Sequence, residues 1–388
     1  GDGTTEIVIW EQKDPAEQEL LGRQLAEWMS DHPGVTVSTD HFETDLLQNQ
    51  FQTATLAGGG PDLVYGPSDK IGPYSVMKLI MPLEDRLEAS FFAKYERSSV
   101  ARLGGHIYAV PDQIGNHLML IYNRALVKSE PKDTDEWIEM CKRLTVDDNG
   151  DGLPERYGVV FNSVEPFWLI PFLGGFGGWV MDEENVPTLD TPEMARALAF
   201  MASLRNEHRI MPKECDYPLS DTMFKNGQSA FIINGPWSLK AYMEAGMEIG
   251  VMALPMVSES GMYPAPMVSS KGYSINVNVK DEKLPLVLDL LSFLTSEKVQ
   301  KEITSELKIL PAVSSLAEDE VLLSDPVLKG SMDQAVRGKP MPVVPEMRAI
   351  WDVMRPFYQS VMSGKMEPRE AAKGMQEQAV RKIAEMKG

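Results

Sequence analysis

The sequence predicts an α/β protein with two domains, and two observations carry that prediction. The chain has 388 residues, which is more than one hydrophobic core usually supports. Its first 66 residues alternate strand-like and helix-like patterns. Strands that alternate with helices are typical of a parallel sheet with crossover helices.

The opening segment predicts three strands of one sheet, with apolar residues at helical spacing between them. The strands are "EIVIW" (6–10), "VTVST" (35–39) and "PDLVYG" (61–66). In parallel α/β sheets, ligands bind beyond the carboxyl ends of the strands. Those ends carry residues 10–14 and 66–70, which makes both segments candidates for ligand contact.

The rest of the chain continues as a mixture of strands and helices. The strand-like runs are "YAVP" (108–111), "LMLIYN" (118–123), "YGVVF" (157–161), "SAFIING" (229–235), "GVMALP" (250–255) and "GYSINV" (272–277). "LPLVLDLLSFL" (284–294) is apolar all round and is expected to be a buried helix. From Pro345 the chain reads as helical, with Met375, Ala379, Ile383 and Met386 on one face.

Composition narrows the class of protein. The formal net charge is −20, which argues against binding to nucleic acid or to anionic membrane surfaces. No apolar run reaches the roughly 18 residues of a membrane span. "GDGTTEIVIW" carries neither a basic segment nor an apolar one, so we expect a mature N-terminus from which an export signal was removed. No CxxC or Cys/His cluster exists, so a zinc site is not expected. Cys141 and Cys215 are expected to be free thiols, with a disulfide as the alternative.

Five motifs follow one another along the chain: "GGGPDLVYGPSDKIGPY", "VPDQIGNHLMLIYN", "NSVEPFW", "DTMFKNGQSAFIINGPW" and "PEMRAIWDVMRPFY". In this order they resemble the maltose/maltodextrin-binding branch of the family 1 extracellular solute-binding proteins that serve ABC importers. The resemblance covers essentially the whole chain. The combination of "GPD", "LIYN" and "AFxxNGPW" at these separations is its most specific part.

The resemblance implies a two-lobe, periplasmic-binding-protein-like (type II) α/β fold with a ligand cleft between the lobes. The N-terminal lobe is expected at 1–114 plus 269–315, and the C-terminal lobe at 115–268 plus 316–388. Hinge crossings are expected near 113–118, 266–272 and 308–318. Hinge closure around a linear or cyclic α-glucan would then present the liganded form to the membrane subunits of an ABC permease. We expect an extracellular or periplasmic monomer, including a lipid-anchored form, without enzymatic activity.

Aromatic side chains are the first group of candidate ligand contacts. An indole covers the C–H face of a pyranose ring and excludes water from it. The resemblance points to Phe167, Trp168, Trp237 and Trp351, with Phe167 standing where a tyrosine is usual. For Trp237 and Trp168 the alternative is packing within their own lobe.

Polar side chains form the second group. Asp14 and Asp69 match acidic positions that follow the first and third strands, and a charged acceptor bonds a hydroxyl more strongly than a neutral one. Their alternative role is to cap helices. Glu165 in "EPF" and Arg355, one helical turn after Trp351, complete the group that bonds hydroxyls. For Arg355 the alternative role is to support Trp351. The resemblance adds four further positions: Lys70, Asn116, Tyr217 and Met341.

Two positions depart from the best-known family members. Asn116 stands where they carry a sugar-binding glutamate, and Gly66 stands where they carry a stacking tryptophan. The loss of one stacking wall is expected to widen the cleft. We therefore expect longer or bulkier glucans, including cyclic ones, rather than maltose alone.

"DDNGDGLPERYG" (147–158) matches the first half of a calcium loop. Asp147, Asn149 and Asp151 occupy ligand positions, and Glu155 is the candidate that replaces the missing final glutamate. Gly158 occupies that final position, so the segment is not a complete EF-hand. The two interpretations are a structural calcium site and a polar turn before the next strand.

Two other functions are alternatives to an α-glucan-binding protein of an ABC importer. A glycoside hydrolase of this length is typically a barrel of eight strand–helix repeats, which this chain does not show. The G-x-S-x-G, P-loop and HExxH motifs are all missing. A binding protein for another oligosaccharide remains the main alternative, since the aromatic residues favour sugar in general and only the resemblance favours α-glucans.

Overall fold

The structure, a computed structural model, describes residues 3–388. Its contacts group the chain into two compact units. Unit 1 comprises the chain up to Gly115, together with Val268–Asp325 and Pro340–Val343. Unit 2 comprises Asn116–Met267, Pro326–Lys339 and Val344–Gly388.

The second segment of unit 1 is longer than the sequence prediction, which ended it at residue 315. It continues to Asp325 because α11 (Glu297–Leu307) and α12 (Glu320–Leu323) pack together. Lys301 and Asp319 form an ion pair of 3.3 Å beside this packing. The assignment of the ranges to lobes that close on a ligand stays a prediction.

The first part of the chain folds into eight regular elements, all within unit 1. They are β1 (Thr5–Glu11), α1 (Pro15–Ser30), β2 (Val35–His41), α2 (Thr44–Leu56), β3 (Leu63–Pro67), α3 (Ile71–Val76), α4 (Ala89–Phe92) and β4 (Val110–Gly115).

The next nine elements belong to unit 2. They are β5 (Met119–Asn123), α5 (Thr134–Leu144), β6 (Tyr157–Val160), α6 (Ile170–Gly175), α7 (Pro192–Asn206), α8 (Tyr217–Lys225), β7 (Ser229–Asn234), α9 (Leu239–Glu244) and β8 (Ile249–Met252).

The remainder of the chain passes through both units. Its elements are β9 (Met267–Ile275), α10 (Leu284–Leu294), α11, α12, α13 (Pro326–Ala335), β10 (Lys339–Pro340), α14 (Pro345–Met362) and α15 (Pro368–Lys387). None of the described helices is long and apolar enough to cross a membrane.

The sheet of unit 1 has the order β10-β9-β3-β1-β2, with β4 also paired to β9. β1 is parallel to both β2 and β3, as the alternation of strands and helices predicts. β9 runs antiparallel to β3 and β4. Because β1 and β3 are parallel neighbours, the residues that follow them emerge at the same edge of the sheet.

The sheet of unit 2 has the order β6-β7-β5-β8. β7 lies parallel to β6 and antiparallel to β5, and all six of its residues are buried. The residues directly after β7 are therefore held by a rigid central strand. This is the strand that precedes Trp237.

Several local predictions were wrong. β4 begins at Val110 rather than Tyr108, because Val110 is the first residue with a ladder partner in β9. β9 begins at Met267 rather than Gly272. The prediction missed its first half because polar residues interrupt the apolar pattern there. α10 buries only Val287, Leu290, Leu291 and Leu294, so it lies on the surface of its unit rather than within it. Met386 is exposed, although the other predicted residues on its face of α15 are buried.

Candidate functional site

Five aromatic side chains form a continuous row within unit 2. Ring centroids lie 6.1 Å apart for Trp351 and Phe167, 5.6 Å apart for Phe167 and Trp168, and 6.1 Å apart for Trp168 and Tyr217. The indole N–H of Trp237 donates to the Tyr217 hydroxyl over 2.8 Å. This aromatic row joins residues from the 3₁₀ turn at 166–168, from α8, from α14 and from the turn after β7.

Trp237 is the most accessible member of the aromatic row, with 46% of its surface exposed. β7 ends at Asn234, and a short 3₁₀ turn at Pro236–Ser238 carries the indole outward. The ring folds back over Gly235, where a Cβ atom would lie only 2.0 Å from it. An exposed indole held in one orientation favours the sugar-stacking interpretation over simple packing.

Trp168 is placed differently. Only 6% of its surface is exposed, and its indole N–H donates to the carbonyl of Ile233 over 2.8 Å. The burial favours the packing interpretation, in which Trp168 supports its neighbours in the aromatic row. Phe167 and Trp351 are half-buried, so part of each ring remains accessible.

Glu165 and Arg355 lie beside the aromatic row as an ion pair. The guanidinium donates to both carboxylate oxygens, over 3.0 Å and 3.2 Å. This hydrogen bonding raises the pKa of Arg355. Asp352 lies on the other side of Arg355, and its pKa is lowered mainly by a hydrogen bond from Lys382. The pair therefore offers a fixed acceptor and a fixed donor near the exposed rings.

In unit 1, Asp14 and Asp69 follow β1 and β3 at the same edge of the sheet. Asp14 is the N-cap residue of α1, but its side chain makes no capping hydrogen bond. Asp69 lies inside a 3₁₀ turn, and both carboxylates are exposed. The capping alternative therefore receives no support from hydrogen bonding. Lys70 is half-buried and donates to the Gln48 side chain over 2.8 Å.

Asn116 and Met341 are the two remaining predicted contacts. Asn116 is exposed and has a left-handed backbone with φ of 66°. Asparagine tolerates this conformation better than glutamate does, which is consistent with the departure from the family at this position. Met341 is half-buried in unit 1, and its sulfur accepts from the Ser269 hydroxyl over 3.8 Å.

Gln12 and Lys13 shape the edge of the sheet in unit 1; both lie in the candidate segment 10–14, but the sequence indicated no individual role for either. A Cβ atom on Gly66 would lie 3.8 Å from the side-chain amide of Gln12, so Gln12 borders the place of the missing tryptophan. Lys13 is buried, pairs with Asp112 over 3.2 Å and lies 3.7 Å from the centroid of the Tyr65 ring. It anchors the loop that carries Asp14. Proximity to Asp14 in the sequence was the available signal.

The predicted calcium loop brings three carboxylates together. Oxygen atoms of Asp147, Asp151 and Glu155 lie within 4.8 Å of one another. Asn149 instead accepts from the backbone N–H of Asp151 over 3.1 Å. Backbone N–H groups also bond Asp147 and Glu155, as they would in a polar turn. Both interpretations are compatible with this geometry, so the calcium site stays a prediction.

Both cysteines are buried free thiols. Burial raises the pKa of Cys215 to about 12 and raises that of Cys141 well above its usual value. Thiolate chemistry at neutral pH is therefore unfavourable at either residue.

Comparisons with known proteins give a consistent result. The profile of the family described as bacterial extracellular solute-binding protein matches residues 24–330. A maltotriose-binding protein of Pyrococcus abyssi is 27% identical over 90% of this chain and 76% of its own. A galactooligosaccharide-binding protein of Bacillus subtilis is 24% identical over 95% and 87%. A maltooligosaccharide ABC transporter solute-binding lipoprotein of Streptococcus pneumoniae is 24% identical over 81% and 75%.

Solved structures resemble the whole chain. The maltose/maltodextrin-binding domain MalE from Bdellovibrio bacteriovorus, bound to maltotriose, is 38% identical with a TM-score of 0.72. It covers 98% of this chain and 100% of its own. A cyclo/maltodextrin-binding protein complexed with maltotetraose is 25% identical with a TM-score of 0.87, covering 98% of this chain and 97% of its own.

Proposed function

Since the chain belongs to the bacterial extracellular solute-binding proteins, we propose that it captures maltodextrin-type oligosaccharides and delivers them to an ABC importer. The observation that carries this proposal is the aromatic row of unit 2. Trp237 offers an exposed ring, and Phe167 and Trp351 offer partly accessible ones. Their ring faces suit the C–H faces of consecutive glucose units.

In this proposal, polar residues of each unit form hydrogen bonds with sugar hydroxyl groups. In unit 2, Glu165 accepts and Arg355 donates, and each holds the other in place. In unit 1, Asp14 and Asp69 supply exposed carboxylates at the edge of the sheet. A charged acceptor gives a stronger hydrogen bond to a hydroxyl than a neutral one. Trp168 acts as a support for the aromatic row in this proposal.

The proposal favours chains longer than maltose and includes cyclic glucans. Gly66 offers no ring for stacking, and the side-chain amide of Gln12 lies next to this position. A relative named for maltotriose and a similar cyclo/maltodextrin-binding protein solved in complex with maltotetraose support a ligand of several glucose units. The galactooligosaccharide relative keeps open a ligand built from another sugar.

The proposal also covers the oligomeric state of the protein, its closure on the ligand, its membrane partner and its anchoring. Binding without cleavage, a monomeric state and hinge closure on the ligand follow from the family resemblance. A permease partner and a lipid anchor are supported by the streptococcal relative, which is named as an ABC transporter lipoprotein.

The proposal is tested by calorimetric titration with maltose, maltotriose, maltotetraose, β-cyclodextrin and a galactooligosaccharide. Each mixture is then analysed for cleavage products by chromatography. We expect saturable binding of α-glucans, tighter for maltotriose than for maltose, with every sugar recovered intact. Binding of the galactooligosaccharide alone would show that the ligand is not an α-glucan. Cleavage of any sugar would show that the protein is a hydrolase and not a binding protein.

A further inference from the structure

A buried polar network lies beneath the exposed end of the aromatic row. Asn234, the last residue of β7, is only 1% exposed. Its side chain donates to the Tyr242 hydroxyl over 2.9 Å and to the Tyr217 hydroxyl over 3.4 Å. Tyr242 in turn donates to Asp221 over 2.7 Å. The network therefore connects α8, β7 and α9 to Trp237.

The direction of each hydrogen bond in this network is fixed. The backbone N–H of Gly235 can only donate, and it donates to the side-chain oxygen of Asn234 over 2.9 Å. The amide nitrogen of Asn234 must therefore face the two tyrosine hydroxyls and donate to both. Tyr242 gives its own proton to Asp221, and its pKa is raised by burial and by that carboxylate.

The Tyr217 hydroxyl receives two donors. One is the Asn234 amide, and the other is the indole N–H of Trp237 at 2.8 Å. A hydroxyl has two acceptor lone pairs and one proton to donate. Both lone pairs are engaged, and no acceptor among the described residues takes the proton of Tyr217.

We propose that Asn234 is a positioning residue that makes Tyr217 an obligatory hydrogen-bond donor to bound sugar and holds the indole of Trp237 in its stacking orientation. The proposal deepens the proposed function and rests on it. A sugar oxygen that accepts from Tyr217 would lie beside the glucose unit stacked on Trp237, so one network sets both contacts.

The substitution Asn234→Asp tests this directionality with almost no change in shape. A carboxylate still accepts from Gly235, but it cannot donate to the tyrosines. The proton of Tyr217 would then turn inward toward the introduced carboxylate, and the ligand would lose its donor. A neutral hydrogen bond contributes about 0.5–1.5 kcal/mol, so we expect N234D to weaken maltotriose binding roughly three- to tenfold.

A double-mutant cycle separates this effect from a general structural one. Maltotriose affinity is measured by calorimetry for the wild-type chain, Y217F, N234D and Y217F/N234D. If Asn234 acts through the proton of Tyr217, N234D adds little once that proton is removed, and the losses do not multiply. Ser229→Ala is the matched control, because Ser229 is a buried polar residue of the same strand outside the network. It should bind like the wild-type chain.

The outcomes are distinct. Losses that multiply in the double variant, or unchanged affinity in N234D, would overturn the role of Asn234 and leave the proposed function intact. If N234D does not fold, N234A enters the same cycle, since it also removes the donor. A wild-type chain that binds no α-glucan would overturn the proposed function, and the role of Asn234 with it.

Discussion

Trp237 and Trp137 are the same residue type in opposite environments within unit 2. Trp237 is 46% exposed, whereas Trp137 in α5 is 0% exposed. The exposed indole has little packing to lose, and the buried one fills the core beneath the sheet. The pair therefore separates a contribution to binding from a contribution to stability.

We predict that Trp237→Ala weakens maltotriose binding about tenfold or more, because a stacking face is lost. Its free energy of unfolding should fall by only about 1 kcal/mol, the typical value of one lost hydrogen bond. Trp137→Ala should lower the free energy of unfolding by about 3–5 kcal/mol. Urea denaturation and calorimetry check both. Unchanged affinity combined with a large loss of stability in Trp237→Ala would restore the packing interpretation.

The position of Trp237 could be predicted from sequence, whereas the position of Trp168 could not. An apolar strand that ends in Asn-Gly-Pro places the next residues at a surface turn. Trp168 lies in an irregular segment without periodicity, so its burial depended on contacts with Ile233, which is remote in sequence. The ion pair of Glu165 and Arg355 joins residues 190 positions apart, which no local pattern encodes.

α13 packs so closely against β8 that only glycine fits at residue 330. A Cβ atom on Gly330 would lie 1.9 Å from the carbonyl oxygen of Val251. Gly22 in α1 is also helical, but its surroundings are open within 4 Å. The two glycines are therefore under opposite constraints.

We predict that Gly330→Ala lowers the free energy of unfolding by about 1–3 kcal/mol, because the helix must move away from the strand. Gly22→Ala should raise it by about 0.5–1 kcal/mol through the helix propensity of alanine. Denaturant unfolding of both variants measures these changes. Equal effects of the two substitutions would contradict the close packing of α13 on β8.

The loop that contains Asp147, Asp151 and Glu155 gives a prediction about calcium. Three carboxylates within 4.8 Å repel one another unless a cation binds. If the calcium interpretation holds, Ca²⁺ should raise the melting temperature relative to EDTA, and Asp151→Asn should remove the increase. Asp148→Asn is the matched control, since Asp148 lies outside the cluster. Equal melting temperatures with Ca²⁺ and EDTA would contradict the calcium interpretation and favour the polar turn.

The limits of β9 show why element boundaries were harder to predict than element types. Its second half is buried and was visible as "GYSINV". Its first half contains Ser269, Ser270 and Lys271, whose strand conformation depends on pairing with β4. That partner is remote in sequence, so local propensity could not reveal it.

The alternation of strands and helices was sufficient to predict the α/β class, and the motifs were sufficient to predict the family. The points at which the chain passes from one unit to the other were harder to predict from the sequence. The short segment Pro340–Val343 belongs to unit 1, and the backbone N–H of Met341 donates a hydrogen bond to the carbonyl of Val268 in β9. So short a segment carries no pattern of its own that would assign it to a sheet.

The proposed function requires the aromatic row of unit 2 to bind the faces of consecutive glucose units. The decisive measurement is a crystal structure of the protein grown with maltotriose. We expect glucose rings stacked on Trp237 and on Phe167 or Trp351, with the Tyr217 hydroxyl within hydrogen-bonding distance of a sugar oxygen. Maltotriose bound elsewhere, with the aromatic row still open to solvent, would contradict it.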